Sequence, residues 1–116
     1  MTTSAGVEAL AAEFVDQAKS HASARLAADA NRAAKRLASI YRELRGAGSS
    51  GQSKLQELCE HDDESVRLWA ATYTLQLAPA VAQPALEALA AGAFGPTRAA
   101  AASSLREWRA GRLRFP

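Results

Sequence analysis

Few residues in this chain have types and spacings that could do chemistry. His21 and His61 are the two histidines, and Cys59 is the single cysteine among 116 residues. Neither histidine has a cysteine or a second histidine at the spacing that tetrahedral metal sites use, so no metal site is expected. Ser103-Ser104 has no base beside it. Gly46 to Gly51, GAGSSG, lacks the lysine with which a phosphate-binding loop holds its ligand. With no nucleophile–base or acid–base pair legible, the chain reads as a non-enzyme, without catalytic residues or cofactors. His61 falls at the end of a short helix, where an imidazole interacts well with the last carbonyls. Cys59 lies on an apolar stripe and reads as inert core.

Two charge clusters remain. Glu57, Glu60, Asp62, Asp63 and Glu64 place five carboxylates in eight residues. Helix capping and solvated surface account for acids at a helix start. The functional reading is an edge that meets a basic partner and steers the encounter. The basic cluster has two parts. On a continuous helix Arg25, Arg32 and Arg36 fall within about 40° of one another, with Lys35 and Arg42 beside them. Arg98, Arg106, Arg109, Arg112 and Arg114 enrich the last twenty residues. A solvated face with i,i+4 pairing explains these arginines; an acidic protein partner or a nucleic-acid backbone is the functional alternative. Fourteen Lys+Arg against 12 Asp+Glu give a net charge of +2, well short of a dedicated nucleic-acid binder.

The elements that must position these residues are helices. The chain holds 29 Ala and 13 Leu against 4 Val and 1 Ile, a composition that favours helix and starves strands. Its length suits one domain, an all-α one. The spacing of Val7, Leu10, Phe14 and Ala18 predicts a first helix over 5–27. Asp29 as N-cap opens a second, to Arg45, with Ala33, Leu37, Ile40, Tyr41 and Leu44 on its apolar face; the two merge or kink near Ala28. GAGSSG, 46–51, reads as a linker between this N-terminal pair (5–45) and a four-helix portion (52–111) of the single domain 1–116. That portion comprises helices over Gln52–Glu60, Asp63–Leu77, Pro79–Gly92 and from Gly95-Pro96 to Gly111. The helix from Asp63 is apolar on two opposite faces and is expected to be central.

The expected core is Phe14, Leu37, Tyr41, Val66, Trp69, Tyr73, Leu86, Leu105 and Trp108. Because alanines bury little area each, the two indoles should dominate, and Trp69→Ala should cost ~3–5 kcal/mol. In the tail, Phe115 is an anchor against the domain or a partner contact. The lone cysteine suits a reducing compartment, and Glu8, Glu13 and Asp16 are the wrong sign for a secretory leader. Residues 68–86 carry no charge, yet Thr72, Thr74, Gln76, Gln83, Pro79 and Pro84 make them two amphipathic segments rather than a membrane span. A cytoplasmic protein with no membrane partner is expected; the oligomeric state stays open.

His61 to Ala71, HDDESVRLWAA, is similar to a HEAT-type α-solenoid repeat. In that reading Asp62 or Asp63 caps a helix, Val66 points inward, Arg67 reaches a neighbouring carboxylate or carbonyl, and Ala70 and Ala71 let helices approach. Pro79–Gly92 with Pro96–Gly111 forms a second, looser pair. Asp29-Ala30-Asn31-Arg32, Tyr41-Arg42-Glu43-Leu44-Arg45, HDDESVRLWAATYTL and Glu107-Trp108-Arg109-Ala110-Gly111 together resemble a small bacterial family of uncharacterised HEAT-like proteins. The resemblance implies a right-handed α-α superhelix of about six helices. Several relatives look like immunity proteins encoded beside toxins, so it also implies binding and neutralisation of a cognate toxin domain. The alternative is a nucleic-acid-associated helical-repeat protein using the arginine faces. Glu57, Glu60, Asp62, Asp63, Glu64, Arg32, Arg36, Arg98, Arg106 and Arg109 are the candidate partner-binding residues.

Overall fold

A computed structural model describes residues 3–115, and among them there are six α-helices and no strand. The helices are α1 (Ser4–Ser23), α2 (Ala27–Gly46), α3 (Ser49–Leu58), α4 (Glu64–Thr74), α5 (Pro79–Ala90) and α6 (Pro96–Arg109). The protein is all-α, as its alanine and leucine content requires. None of the described helices is long and apolar enough to cross a membrane. Packing divides the chain into two compact units, one up to Leu55 and one from Gln56 onward.

In the first unit, Thr3 caps α1 by accepting a hydrogen bond from the Gly6 N–H at 3.0 Å. α1 packs on α2. Val7, Ala11, Phe14 and Ala18 are buried on one helix, and Ala33, Leu37, Ile40, Tyr41 and Leu44 on the other. The second set is the stripe that the spacing marked. The break between the helices differs from the expected one. It falls at Ala24–Leu26, and the N-cap is Leu26, with no side chain accepting a bond there. Asp29 instead sits in the first turn of α2 and pairs with Arg32 at 3.0 Å, one helical turn on. Arg25 therefore lies in the connection, and no continuous helix carries it together with Arg32 and Arg36.

The expected linker 46–51 is mostly helix. Only Ala47 and Gly48 form the turn, Gly48 at φ +76°, where glycine alone is unstrained. Ser49, Ser50 and Gly51 are the first turn of α3, and Gly51 is buried. A Cβ at Gly51 would stand 1.9 Å from the Leu44 carbonyl oxygen. What reads as flexible composition is thus a close backbone contact between the end of α2 and the start of α3.

In the second unit α4, α5 and α6 pack on one another. Their interior is built from Val66, Ala70, Ala71 and Tyr73 of α4, Ala82, Leu86 and Leu89 of α5, and Ala101 and Leu105 of α6. Trp69 and Trp108 are only half-buried, which corrects their assignment to the core. Alanine, aliphatic and tyrosine side chains fill the interior where α4, α5 and α6 meet, and both indoles lie at its edge. Trp69 stacks instead on Tyr73, centroids 6.1 Å apart. Tyr73 also meets the Phe115 ring at 4.6 Å, while the Phe115 N–H donates to Gln76 Oε1 at 3.2 Å. The tail phenylalanine is therefore an anchor; Pro116 lies outside the described residues.

Urea denaturation should rank three substitutions. Leu86→Ala, at a fully buried position, should cost about 2–5 kcal/mol. Trp69→Ala should cost less, about 1–2 kcal/mol, because the ring is only partly buried. Gly51→Ala, which adds one methyl group, should cost about 1–3 kcal/mol through overpacking. A neutral Gly51→Ala midpoint would show that the α2–α3 contact can relax.

Candidate functional site

The turn between α3 and α4 is fixed by its own residues. Asp63 caps α4: its Oδ1 accepts from the N–H of Ser65 at 2.8 Å and of Val66 at 3.3 Å. The Asp63 N–H in turn donates to His61 Nδ1 at 3.0 Å. Arg67 reaches back from α4 and donates through Nη1 to the carbonyls of His61 and Asp62, both at 2.8 Å. Of the two aspartates open as caps, Asp63 has the role, and Arg67 takes carbonyls rather than a carboxylate. The His61 ring differs from expectation. It accepts a bond from the segment that follows instead of contacting the last carbonyls of α3, so it holds the turn and is not poised for catalysis.

With Asp63 committed to capping, Glu57, Glu60, Asp62 and Glu64 stand exposed around this turn. Described ion pairs use Glu8, Glu13, Asp29, Glu43, Glu87 and Glu107. Glu60, Asp62 and Glu64 are not among them and face water. Beside the turn lies a groove of about 460 Å³, lined by Cys59, Glu60 and Arg67 and by Val81, Pro84, Ala85, Ala88 and Leu89 of α5. This face of α5 carries no charge. The helix's one charged residue, Glu87, pairs with Arg109 at 3.1 Å.

Cys59 belongs to the interior, 3% exposed. Its thiol donates to Thr74 Oγ1 at 3.7 Å, the sulfur-bond range. Burial pushes the thiol above its ordinary range, and the neighbouring Glu60 carboxylate adds to this against the opposing Thr74 bond. A thiol so placed is a poor nucleophile. Among the described residues no three His, Cys, Asp or Glu side chains are grouped so as to hold a metal ion.

The basic candidates are dispersed and mostly paired. Arg36 makes a two-pronged contact with Glu13 on α1, Nε to Oε2 and Nη2 to Oε1, the latter at 2.6 Å, and lies 3.9 Å from Glu43. That bidentate geometry is the strong form of an arginine–carboxylate pair. Arg32 is held by Asp29, Arg109 by Glu87, and Arg112 by Glu107 at 2.8 Å. Arg106 is exposed on the last turn of α6. Arg98 lies over the ring of Phe94, 5.9 Å from its centroid. Phe94 itself, 95% exposed, is the largest apolar side chain left in water. Sequence reasoning passed over it, although a phenylalanine between Gly92 and Gly95, off every apolar stripe, was the available signal.

The acidic turn thus stands beside an uncharged helix face, and four arginines elsewhere pair with carboxylates. The chain belongs to a family described as "Domain of unknown function (DUF2019)", whose pattern matches residues 8–108. It is similar to the crystal structure of the protein RPA1889 from Rhodopseudomonas palustris CGA009, with a TM-score of 0.83 and 28% identity over 93% of this chain and 92% of that one. Among curated proteins none matches this chain.

The Arg36 hydrogen bonds hold the Glu13 carboxyl below the ordinary value of 4.5. A depressed carboxylate contributes stability above its unfolded pKa and loses it as pH falls through the folded value. Glu13→Gln should therefore lower the urea midpoint near pH ~6, and the gap to wild type should close by pH ~3. A gap that stays constant with pH would mean that the ionised pair adds nothing. The gain should be modest, since both side chains are more than a third exposed.

Proposed function

We propose that this protein is a non-enzymatic binding domain, an immunity protein that docks a basic face of a cognate bacterial toxin against the acidic α3–α4 turn. One observation carries the reading. The turn is locked by Asp63, His61 and Arg67, while Glu60, Asp62 and Glu64 stand exposed and take part in none of the described ion pairs. Carboxylates fixed in advance cost little ordering on binding, and they accelerate encounter with a positively charged partner. The kinship read in the sequence supplies the class of partner, and the helix pairs, read as HEAT-like repeats, supply a firm scaffold. Such a protein works in the cytoplasm, where a toxin would reach its producer's own targets. The nucleic-acid alternative draws less support, since Arg32, Arg36, Arg109 and Arg112 are already engaged by carboxylates.

Co-expression with the toxin domain encoded beside this gene should protect the host, and the purified pair should associate with nanomolar or tighter affinity. Reversing the edge with Glu60→Lys, Asp62→Lys and Glu64→Lys together, Asp63 left intact, should slow association by about tenfold or more and flatten its salt dependence. Unprotected cells, or a triple variant that associates at the wild-type rate, would remove this reading.

A further inference from the structure

Two features of the second unit are unsatisfied within it, and they complement each other. The first is a knob: Phe94, 95% exposed on the α5–α6 connection, with the Arg98 guanidinium 5.9 Å from its ring centroid. The second is a hole: the groove of about 460 Å³ whose α5 wall is Val81, Pro84, Ala85 and Ala88 and whose lip is Glu60. A phenyl ring in water is costly, and Val81 in the groove wall is itself 38% exposed. Arg98 takes part in none of the described ion pairs and Glu60 in none either. Arg67 lines the same groove, its guanidinium donating to the His61 and Asp62 carbonyls.

We infer that the protein self-associates by seating Phe94 of one copy in the groove beside α5 of a second copy, with Arg98 of the first meeting Glu60 of the second. Apolar surface is removed from water on both sides, and each exposed charge gains its opposite. In a two-fold pair the same contact forms twice, which is how a modest single contact becomes a stable dimer. Both this proposal and the toxin reading use Glu60, so a toxin and a second copy would compete for this face; because the test is made on the isolated protein, its failure leaves the toxin reading standing.

Sedimentation equilibrium of the full chain from ~10 μM to ~1 mM tests it. Wild type should fit a monomer–dimer equilibrium with Kd in the range of about 10–500 μM, weakening as salt rises. Phe94→Ser should be monomeric throughout with an unchanged circular dichroism spectrum, the side chain being outside the core. Arg98→Glu and Glu60→Arg should each weaken the dimer at least about tenfold, and the double variant Arg98→Glu/Glu60→Arg should restore it. A wild-type protein monomeric to the top of the range overturns the proposal. So does a Phe94→Ser variant that dimerises as wild type does, which would place the contact elsewhere. Failure of the double variant to recover association overturns the Arg98–Glu60 pairing.

Discussion

With 29 alanines in 116 residues, many inward positions of each unit hold a methyl group beside a few large side chains. Ala18 and Ala33 in the first unit and Ala70, Ala71, Ala82 and Ala101 in the second lie at or near zero exposure. Gly51 carries this to its limit against the Leu44 carbonyl. Dispersion contacts therefore centre in each unit on a few large groups: Phe14, Leu37 and Tyr41 in one, Val66, Leu75 and Leu86 in the other. Trp69 and Phe115, only partly buried, pack against the buried Tyr73 ring, and Phe94 is left in water.

The same constraint shapes the acidic turn. With α4 drawn tightly onto its neighbours, its first turn needs a short, self-contained entry. Asp63, His61 and Arg67 provide one from within seven residues. Polar groups that hold a turn through the main chain do not depend on distant packing, so the backbone that carries the exposed carboxylates is set locally. The uncharged outer face of α5 follows from composition as well. A helix built largely from alanine, proline and leucine has little to offer water on any side.

Charge is handled differently in the two clusters. The arginines are long enough to reach carboxylates one turn away or on an adjacent helix, and four of them do so. The acids of the α3–α4 turn are short, crowded and of one sign, so they cannot neutralise one another. A net charge of +2 therefore conceals an exposed acidic patch at this turn.

Much of this was legible in the residues. The helical class follows from alanine and leucine abundance. The apolar stripe of α2 follows from a 3.6-residue period, and the cap at Asp63 and the helix starts at Pro79 and Pro96 follow from local chemistry; each concerns neighbours a few residues apart. Other features depended on contacts between elements. GAGSSG has the composition of a linker, but Gly51 is there because another backbone lies where its Cβ would be. Asp29 has the makings of a cap, yet the chain turns three residues earlier. The two tryptophans are the most apolar candidates by size, and only the packing of the helices leaves both at the edge. Which arginines are engaged by carboxylates, and that Phe94 stays in water with the Arg98 guanidinium over its ring, were decided likewise by tertiary structure. Sequence fixes what a residue can do with its near neighbours in the chain, whereas exposure and pairing depend on what folding brings from farther along it.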